Sequence, residues 1–287
     1  FTSNFRWMWP YSEKVTGSLC HRWNHDQQFL RISDYSGDLQ LLAGGSKVPG
    51  YHQAGQFESF QYKGKDIDFQ ANETKKPQIT SLMTFPLEMS DRLDFIFSAS
   101  NQGFDSTYQI FNQFLYNRTD LAKAAQSHAD HLLKNSLTIT TPDPVFNLGY
   151  RWSLLATDRF FVNTPGLGKA LVAGYSTTRK GWDGEHKVNG RPGYGWYFGR
   201  DAQWSGFAVL GYGDFLGIRS QLEFFNQFQD LNGKIFHEVS TSGLVHYDAA
   251  DATPLYICLA GRYFRHSNDT SFIREIWPNI KKAIDFC

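Results

Sequence analysis

The residues best equipped for chemistry fall in two stretches. In Arg191-Pro-Gly-Tyr-Gly-Trp-Tyr-Phe-Gly-Arg-Asp201, glycines and aromatics lead into an adjacent Arg200 and Asp201 at the start of a helical pattern. Asp201 is a good helix N-cap residue, and that reading alone accounts for it. The pair also sets a donor fork beside an acceptor, an arrangement suited to vicinal or near-vicinal sugar hydroxyls. The second stretch runs from Gly233-Lys-Ile-Phe-His-Glu238 to Gly243-Leu-Val-His-Tyr-Asp248-Ala-Ala-Asp251-Ala-Thr-Pro254. It brings three carboxylates, Glu238, Asp248 and Asp251, within 14 positions at loop-to-helix junctions. If one aspartate caps the following helix, the other is free for acid–base work.

Composition narrows what such a cluster could serve. The 287 residues hold 28 Lys+Arg against 28 Asp+Glu, so no net field draws in nucleic acid or anionic lipid. The hydrophobic fraction of 41% is enough for a core and excludes wholesale disorder. No apolar run reaches the ~18 residues of a membrane span. Aromatics make up 16% of the chain, and flat rings form platforms for apolar sugar faces as well as cores. Cys20, Cys258 and Cys287 match neither a zinc pattern nor a disulfide framework, and Cys258, in an apolar helical run, reads as a small buried side chain. His21 and His25 with Asp26 have metal-like spacing only if helical, and the region reads as strand; no metal is expected. Gly166-Leu-Gly-Lys-Ala170 lacks the spacer and hydroxyl of a phosphate loop.

The elements that must position these residues divide the chain. Residues 1–118 read as strands and turns, punctuated at Gly37, Gly44–Gly45, Gly50 and Gly64. Leu93, Phe95 and Phe97 alternate with Asp94 and Ile96, and Tyr108, Ile110 and Phe114 also fit a period near two. The expectation is an antiparallel β-sandwich. Residues 119–143 read as a linker helix with Asp120 as N-cap, then a Thr-Pro-Asp-Pro turn. From 144 to 287 the pattern is five helices, near 144–160, 201–212, 214–230, 251–266 and 270–287. Asp143 with Pro144, and Asp214, supply start signals. The loop 163–199 is long enough to suggest function.

Gly199-Arg200-Asp201 opening an aromatic helix, Gly233-Lys234-Ile235 with His237-Glu238, and Tyr247-Asp248-Ala-Ala-Asp251-Ala-Thr-Pro-Leu255 stand in that order, followed by Trp277-Pro278-x-Ile280-x-x-Ala283. Together they resemble the amylo-α-1,6-glucosidase (glycogen-debranching) type of glycoside hydrolase, a relative of glucoamylase in the (α/α)6-barrel clan. The resemblance covers about 140–287, and the β-rich region sits where such enzymes carry a sandwich domain. It implies an α+β multidomain chain: a sandwich at 1–118, a linker at 119–143, and the first part of an (α/α)6 barrel at 144–287. It also implies that Arg200 and Asp201 hold the non-reducing sugar, that Asp251 is the general acid, and that Trp182, Trp196, Tyr197 and Trp204 shape subsite walls. Glu238 is the rival acid or a subsite residue, and Asp248 a neighbour that binds substrate or supplies like charge.

Twelve helices with their connections need roughly 200 residues. Only 144 follow from Pro144 to Cys287, so the base and the remainder of the barrel, in the same or another chain, are expected elsewhere. An inverting reaction needs a protonated carboxyl at the leaving oxygen and a carboxylate across a water, with no cofactor. A carboxyl at a helix start is favoured as the anion, so the acid role asks for burial or a neighbouring negative charge. The expected partner is an oligosaccharide or polysaccharide cut at α-linked glucosyl units. The alternatives are a carbohydrate-binding fragment or pseudoenzyme without turnover and, more remotely, a helical interaction scaffold. The start without Met suits an exported bacterial protein, with a cytoplasmic glycogen-handling enzyme as the other possibility.

Overall fold

The computed structural model describes residues 1–3, 5, 18–62, 69–76, 78–174 and 194–287, with backbone alone for Tyr62 and for the short strands between 177 and 192. The chain is α+β, with its larger sheets in the N-terminal half and, among the described residues, six helices from residue 103 onward. It divides into two compact units, Phe1–Ala125 with Trp182–Val188, and Gln126–Gly181 with Asn189–Cys287.

The first unit holds β1 (Thr2–Ser3), β2 (Leu19–Asn24), β3 (Phe29–Asp34), β4 (Gln40–Gly45), β5 (Tyr51–Gly55), β6 (Phe57–Tyr62), β7 (Phe69–Glu73), β8 (Ile79–Thr84) and β9 (Phe95–Ser100). They pair antiparallel as β2-β3-β4-β9, β1-β8-β5 and β6-β7. β3 is buried on both faces, and strand alternation explains how. Leu30 and Ile32 point one way and pack with Ile79 of β8. Phe29 points the other way and packs with Leu42, Ile96 and Phe111. Phe111 belongs to α1 (Gly103–Asn135), which is kinked at Asn117. Gly44 is needed at this contact, because a Cβ there would lie 3.0 Å from the Phe111 ring.

Two expectations for this unit change. Tyr108, Ile110 and Phe114 are helical: the operative spacing is Phe104, Tyr108, Phe111 and Leu115, an i, i+4, i+7, i+11 stripe laid on the sheet. Of the first three only Tyr108 lies on that stripe, and Phe114 is exposed. In β9 the alternation is present with the opposite phase from the aromatic one: Ile96 is 5% exposed, whereas Phe95 and Phe97 are 58% and 49% exposed.

The second unit contains the remainder of α1, α2 (Pro144–Asp158), β10 (Phe161–Thr164), β11 (Gly168–Leu171), β12 (Thr177–Thr178), β15 (Arg191–Pro192) and β16 (Tyr197–Phe198), whereas the intervening β13 (Gly181–Asp183) crosses the boundary at its first residue and β14 (His186–Val188) belongs to the first unit. Then come α3 (Gly199–Tyr212), α4 (Phe215–Gln227), β17 (Glu238–Val239), β18 (Val245–His246), α5 (Ala252–Ser267) and α6 (Thr270–Phe286). Two of the start signals act as caps, Asp143 accepting from the amides of Val145 and Phe146 and Asp214 from Gly217, whereas Asp120 lies inside α1, which begins at Gly103, and caps no helix. Helix α3 packs against both α4 and α5, and α5 against α6. Their common core includes Ile218, Leu222 and Phe225 of α4, Tyr256 and Leu259 of α5, and Phe272 of α6.

The stretch 163–199 is not a plain loop, since β10 and β11 form a regular hairpin at its start and β16 closes it. Cys258 is exposed rather than buried. It stands on the face of α5 opposite Tyr256 and Leu259, and one residue of helical rotation separates the two environments.

Candidate functional site

The site residues meet where α3 and α5 begin, beside the antiparallel sheet β16-β17-β18. Phe198 is the partner of Glu238, and Glu238 of His246, so two chemistry-bearing side chains share one rung of the ladder. The Gly199 amide donates to the His237 carbonyl at 2.7 Å. A Cβ on Gly199 would lie 2.3 Å from the Phe236 carbonyl oxygen and 3.1 Å from the Cβ of Ala252. Glycine here is thus what lets the start of α3 close on this strand and on α5, with Arg200 as the next residue.

The Asp-Ala-Thr sequence at the start of α5 is explained residue by residue. Ala252 is fully buried against Gly199, where a larger side chain has no room. Thr253, also fully buried, accepts the Ile235 amide at its Oγ1 at 3.0 Å and so ties the segment leading into β17 to the helix. Gln203 of α3, fully buried, donates from Nε2 to the Ala252 carbonyl at 2.9 Å. Asp251 occupies the N-cap position with φ −101° and ψ −13°, and its side chain makes no cap hydrogen bond. Its Oδ2 instead accepts from Arg200 Nε at 2.5 Å, while its Oδ1 is buried without a described partner. The hydrogen bond and charge of Asp251 raise the Arg200 pKa above its already high ordinary value.

Beside this pair runs a chain of polar contacts. Glu238 is 4% exposed and accepts from the Trp196 indole Nε1 at 2.7 Å. Its other oxygen lies 3.6 Å from His246 Nδ1. His246 Nδ1 is 3.4 Å from Asp248 Oδ1, which also meets His237 Nδ1 at 2.5 Å. At Asp248 desolvation pushes the carboxyl pKa up, but the charges of His237 and His246 and the His237 hydrogen bond outweigh it, and the net shift is downward. The structure therefore brings Arg200, Asp248, Asp251, Glu238 and Trp196 to one locality.

The other expected residues are placed differently. Asp201 is not the cap of α3, whose N-cap position is Phe198; it sits in the first turn, exposed, and its side chain makes no hydrogen bond among the described residues. Trp204, one turn further along α3, is 60% exposed, with its ring edge-on to Phe207 at 5.6 Å. Tyr197 is 1% exposed and is not brought to the site: its hydroxyl bonds Thr164 Oγ1 at 2.6 Å and the Val162 carbonyl at 3.1 Å within the core. The Trp182 side chain lies outside the described residues. His237, His246 and Gln203 carried no role in the sequence reading. The signal for the histidines was their place next to Glu238 and two before Asp248, which matters only once the strands pair. A lone Gln in an apolar helix stripe was the signal for Gln203.

No group of three His, Cys, Asp or Glu side chains among the described residues is arranged to hold a metal ion. No helix among them is long and apolar enough to cross a membrane. No family model matches the sequence, and no curated protein matches it. Among solved structures, a bacterial glucoamylase complexed with acarbose is similar, with a TM-score of 0.62 and 14% sequence identity. The fold is glucoamylase-like. The match covers 90% of this chain and 37% of that chain, so this chain corresponds to well under half of that enzyme's length. At 14% identity the likeness is one of fold, and it agrees with sheets followed by helices.

Proposed function

We propose that this chain is part of a glycoside hydrolase that releases α-linked glucosyl units from oligo- or polysaccharides, by an inverting route and in the manner of an amylo-α-1,6-glucosidase. Residues 1–118 form the sandwich domain together with the first half of α1, 119–143 the linker that continues the same helix, and 144–287 the opening part of an (α/α)6 barrel. Arg200 and Asp201 hold the sugar, Trp196 and Trp204 flank it, and Asp251 gives its proton to the leaving oxygen. The base lies outside residues 1–287, in the remainder of the barrel. The observation that carries the reading is Asp251 itself: a carboxyl at a helix start, engaged by Arg200 at 2.5 Å rather than by its own helix, within a glucoamylase-like fold. That similar enzyme was solved with acarbose, which supports an oligosaccharide as the ligand class.

The steps follow from the carboxyl's surroundings. Sugar hydroxyls compete for the Arg200 guanidinium, which frees the Asp251 carboxyl to face the leaving oxygen. A carboxylate ~6.5–9.5 Å away then activates water on the opposite face of the ring. In an intact enzyme, Asp251→Asn should lower turnover of unactivated α-glucosides by about 100-fold or more, and turnover of a substrate with an activated leaving group far less, because such a substrate needs no acid. Near-normal turnover of the unactivated substrate would remove Asp251 from the role. Glu238→Gln with that same pattern would make Glu238 the donor.

The Arg200–Asp251 ion pair also favours a second reading, a carbohydrate-binding protein without turnover, since a donor fork beside a carboxylate suits paired sugar hydroxyls without any chemistry. Sugar binding with no hydrolysis by the complete protein would establish it.

A further inference from the structure

An aspartate at an N-cap position ordinarily spends its carboxylate on its own helix, accepting the amide of the second or third helical residue. Asp143, Asp214 and Asp269 do so in this chain. Asp251 does not. The sequence of α5 supplies a reason: its first three residues are Ala252, Thr253 and Pro254, and proline has no amide hydrogen. Asp269 in α6 shows the contrast, because its Oδ1 accepts from Phe272, the third helical residue, at 3.0 Å. In α5 that third-position donor does not exist, and of the two amides a cap can use only that of Thr253, at the second position, remains. The backbone of Asp251 is helical rather than extended, unlike the usual cap geometry, and Gln203 fixes the next peptide by its bond to the Ala252 carbonyl.

We propose that Pro254 is a positioning residue: by removing the amide at the third position of α5, it keeps the Asp251 carboxyl out of its own helix cap and available to Arg200 and to a ligand. The consequence for catalysis rests on the proposed hydrolase reading; the capping competition does not. Pro254→Ala restores the missing donor. Asp251 then has a second place to go, and the cap competes with the outward conformation that Arg200 now holds. Stability and activity should move in opposite directions, which a plain packing role for Pro254 does not produce.

The experiment is a double-mutant cycle with Pro254→Ala and Asp251→Ala, read by denaturant unfolding, because the cycle cancels the backbone-entropy effect of removing a proline. The restored cap should make Pro254→Ala about fivefold more favourable in folding constant with Asp251 present than with Asp251→Ala. The hydrogen exchange of the amide introduced at position 254 reads the same bond, and does so even if Asp251→Ala fails to fold; slowed exchange is expected. Additive effects in the cycle, or unprotected exchange at that amide, overturn the proposal. In the complete enzyme, Pro254→Ala should lower kcat on an unactivated α-glucoside by about tenfold, with KM and the rate on an activated leaving group within about twofold. A wild-type enzyme that hydrolyses neither substrate defeats the hydrolase reading and leaves the cycle to decide the cap. An active wild type whose rates Pro254→Ala leaves unchanged defeats the positioning role alone.

Discussion

At the scale of single residues, the described helices with an aspartate at the N-cap divide into α2, α4 and α6, which use its carboxylate, and α5, which does not. Asp269 shows what full use looks like. It accepts from Ser271 Oγ at 2.7 Å, the Phe272 amide at 3.0 Å, the Tyr263 hydroxyl at 2.9 Å and Arg219 at 3.3 Å. These hold its pKa down at about 2, the Ser271 bond contributing most. Desolvation, with Asp269 alongside, pushes the Tyr263 hydroxyl up to about 12. A carboxyl whose folded pKa lies below its unfolded one stabilises the fold above the unfolded value, and that contribution is lost as the pH falls through the folded value. The urea midpoint should therefore fall between about pH 4 and pH 2, and Asp269→Asn should flatten that part of the curve. An unchanged slope in the variant would assign the acid limb to other carboxyls. The aspartates themselves were legible in the sequence, as was the expectation that one of Asp248 and Asp251 would stand at a helix start. That Asp251 stands there without capping was not legible, because side-chain direction depends on Arg200 and Gln203, which arrive from another helix.

At the scale of elements, glycines in α3 separate two effects that composition cannot distinguish. Gly199 sits where a Cβ would meet the Phe236 carbonyl oxygen at 2.3 Å, a backbone atom that cannot swing aside. Gly211, in the same helix, has nothing within 4 Å of the position its Cβ would take. Gly199→Ala should destabilise the second unit by about 3 kcal/mol or more, or prevent its folding. Gly211→Ala should stabilise it by about 0.5–1 kcal/mol through helix propensity. Equal effects from the two would refute the close approach that sets Arg200 beside Asp251. The helices α2 to α6 were readable from caps and apolar spacing, within a residue or two at most boundaries and up to three at the C-terminal end of α4. The first part of α1 was misread because short apolar runs fit both periods, and only the sheet face beneath Phe104, Tyr108 and Phe111 selects the helical one.

At the scale of the whole molecule, zero net charge and 16% aromatics argued for a neutral, ring-rich ligand surface over a nucleic-acid one. The proposed function carries that to a measurement. A ligand that binds only the folded state raises the apparent stability by RT ln(1 + [L]/Kd), so maltooligosaccharide at 100 Kd should add about 2.7 kcal/mol. Thermal unfolding with and without maltotriose should show the shift in the wild type, and Arg200→Ala should abolish it. No shift with any α-glucan fragment would count against both the hydrolase and the binding readings.

The sequence by itself determined what is local. Turn residues, caps and apolar periods are properties of neighbours in the chain, and they set the order of strands before helices and the ends of most helices. It also held the candidate residues: Arg200 and Asp251 stand at helix starts, and Glu238 and Asp248 in the stretch that leads into α5. Tertiary structure decided which of them meet. The Arg200–Asp251 pair joins residues 51 positions apart, and the Trp196–Glu238 bond joins residues 42 apart. It also sent Tyr197 to the core and turned Phe95 and Phe97 outward. An aromatic side chain carries the same hydrophobic signal in either setting, and the direction it takes is fixed by what packs against its backbone from elsewhere in the chain.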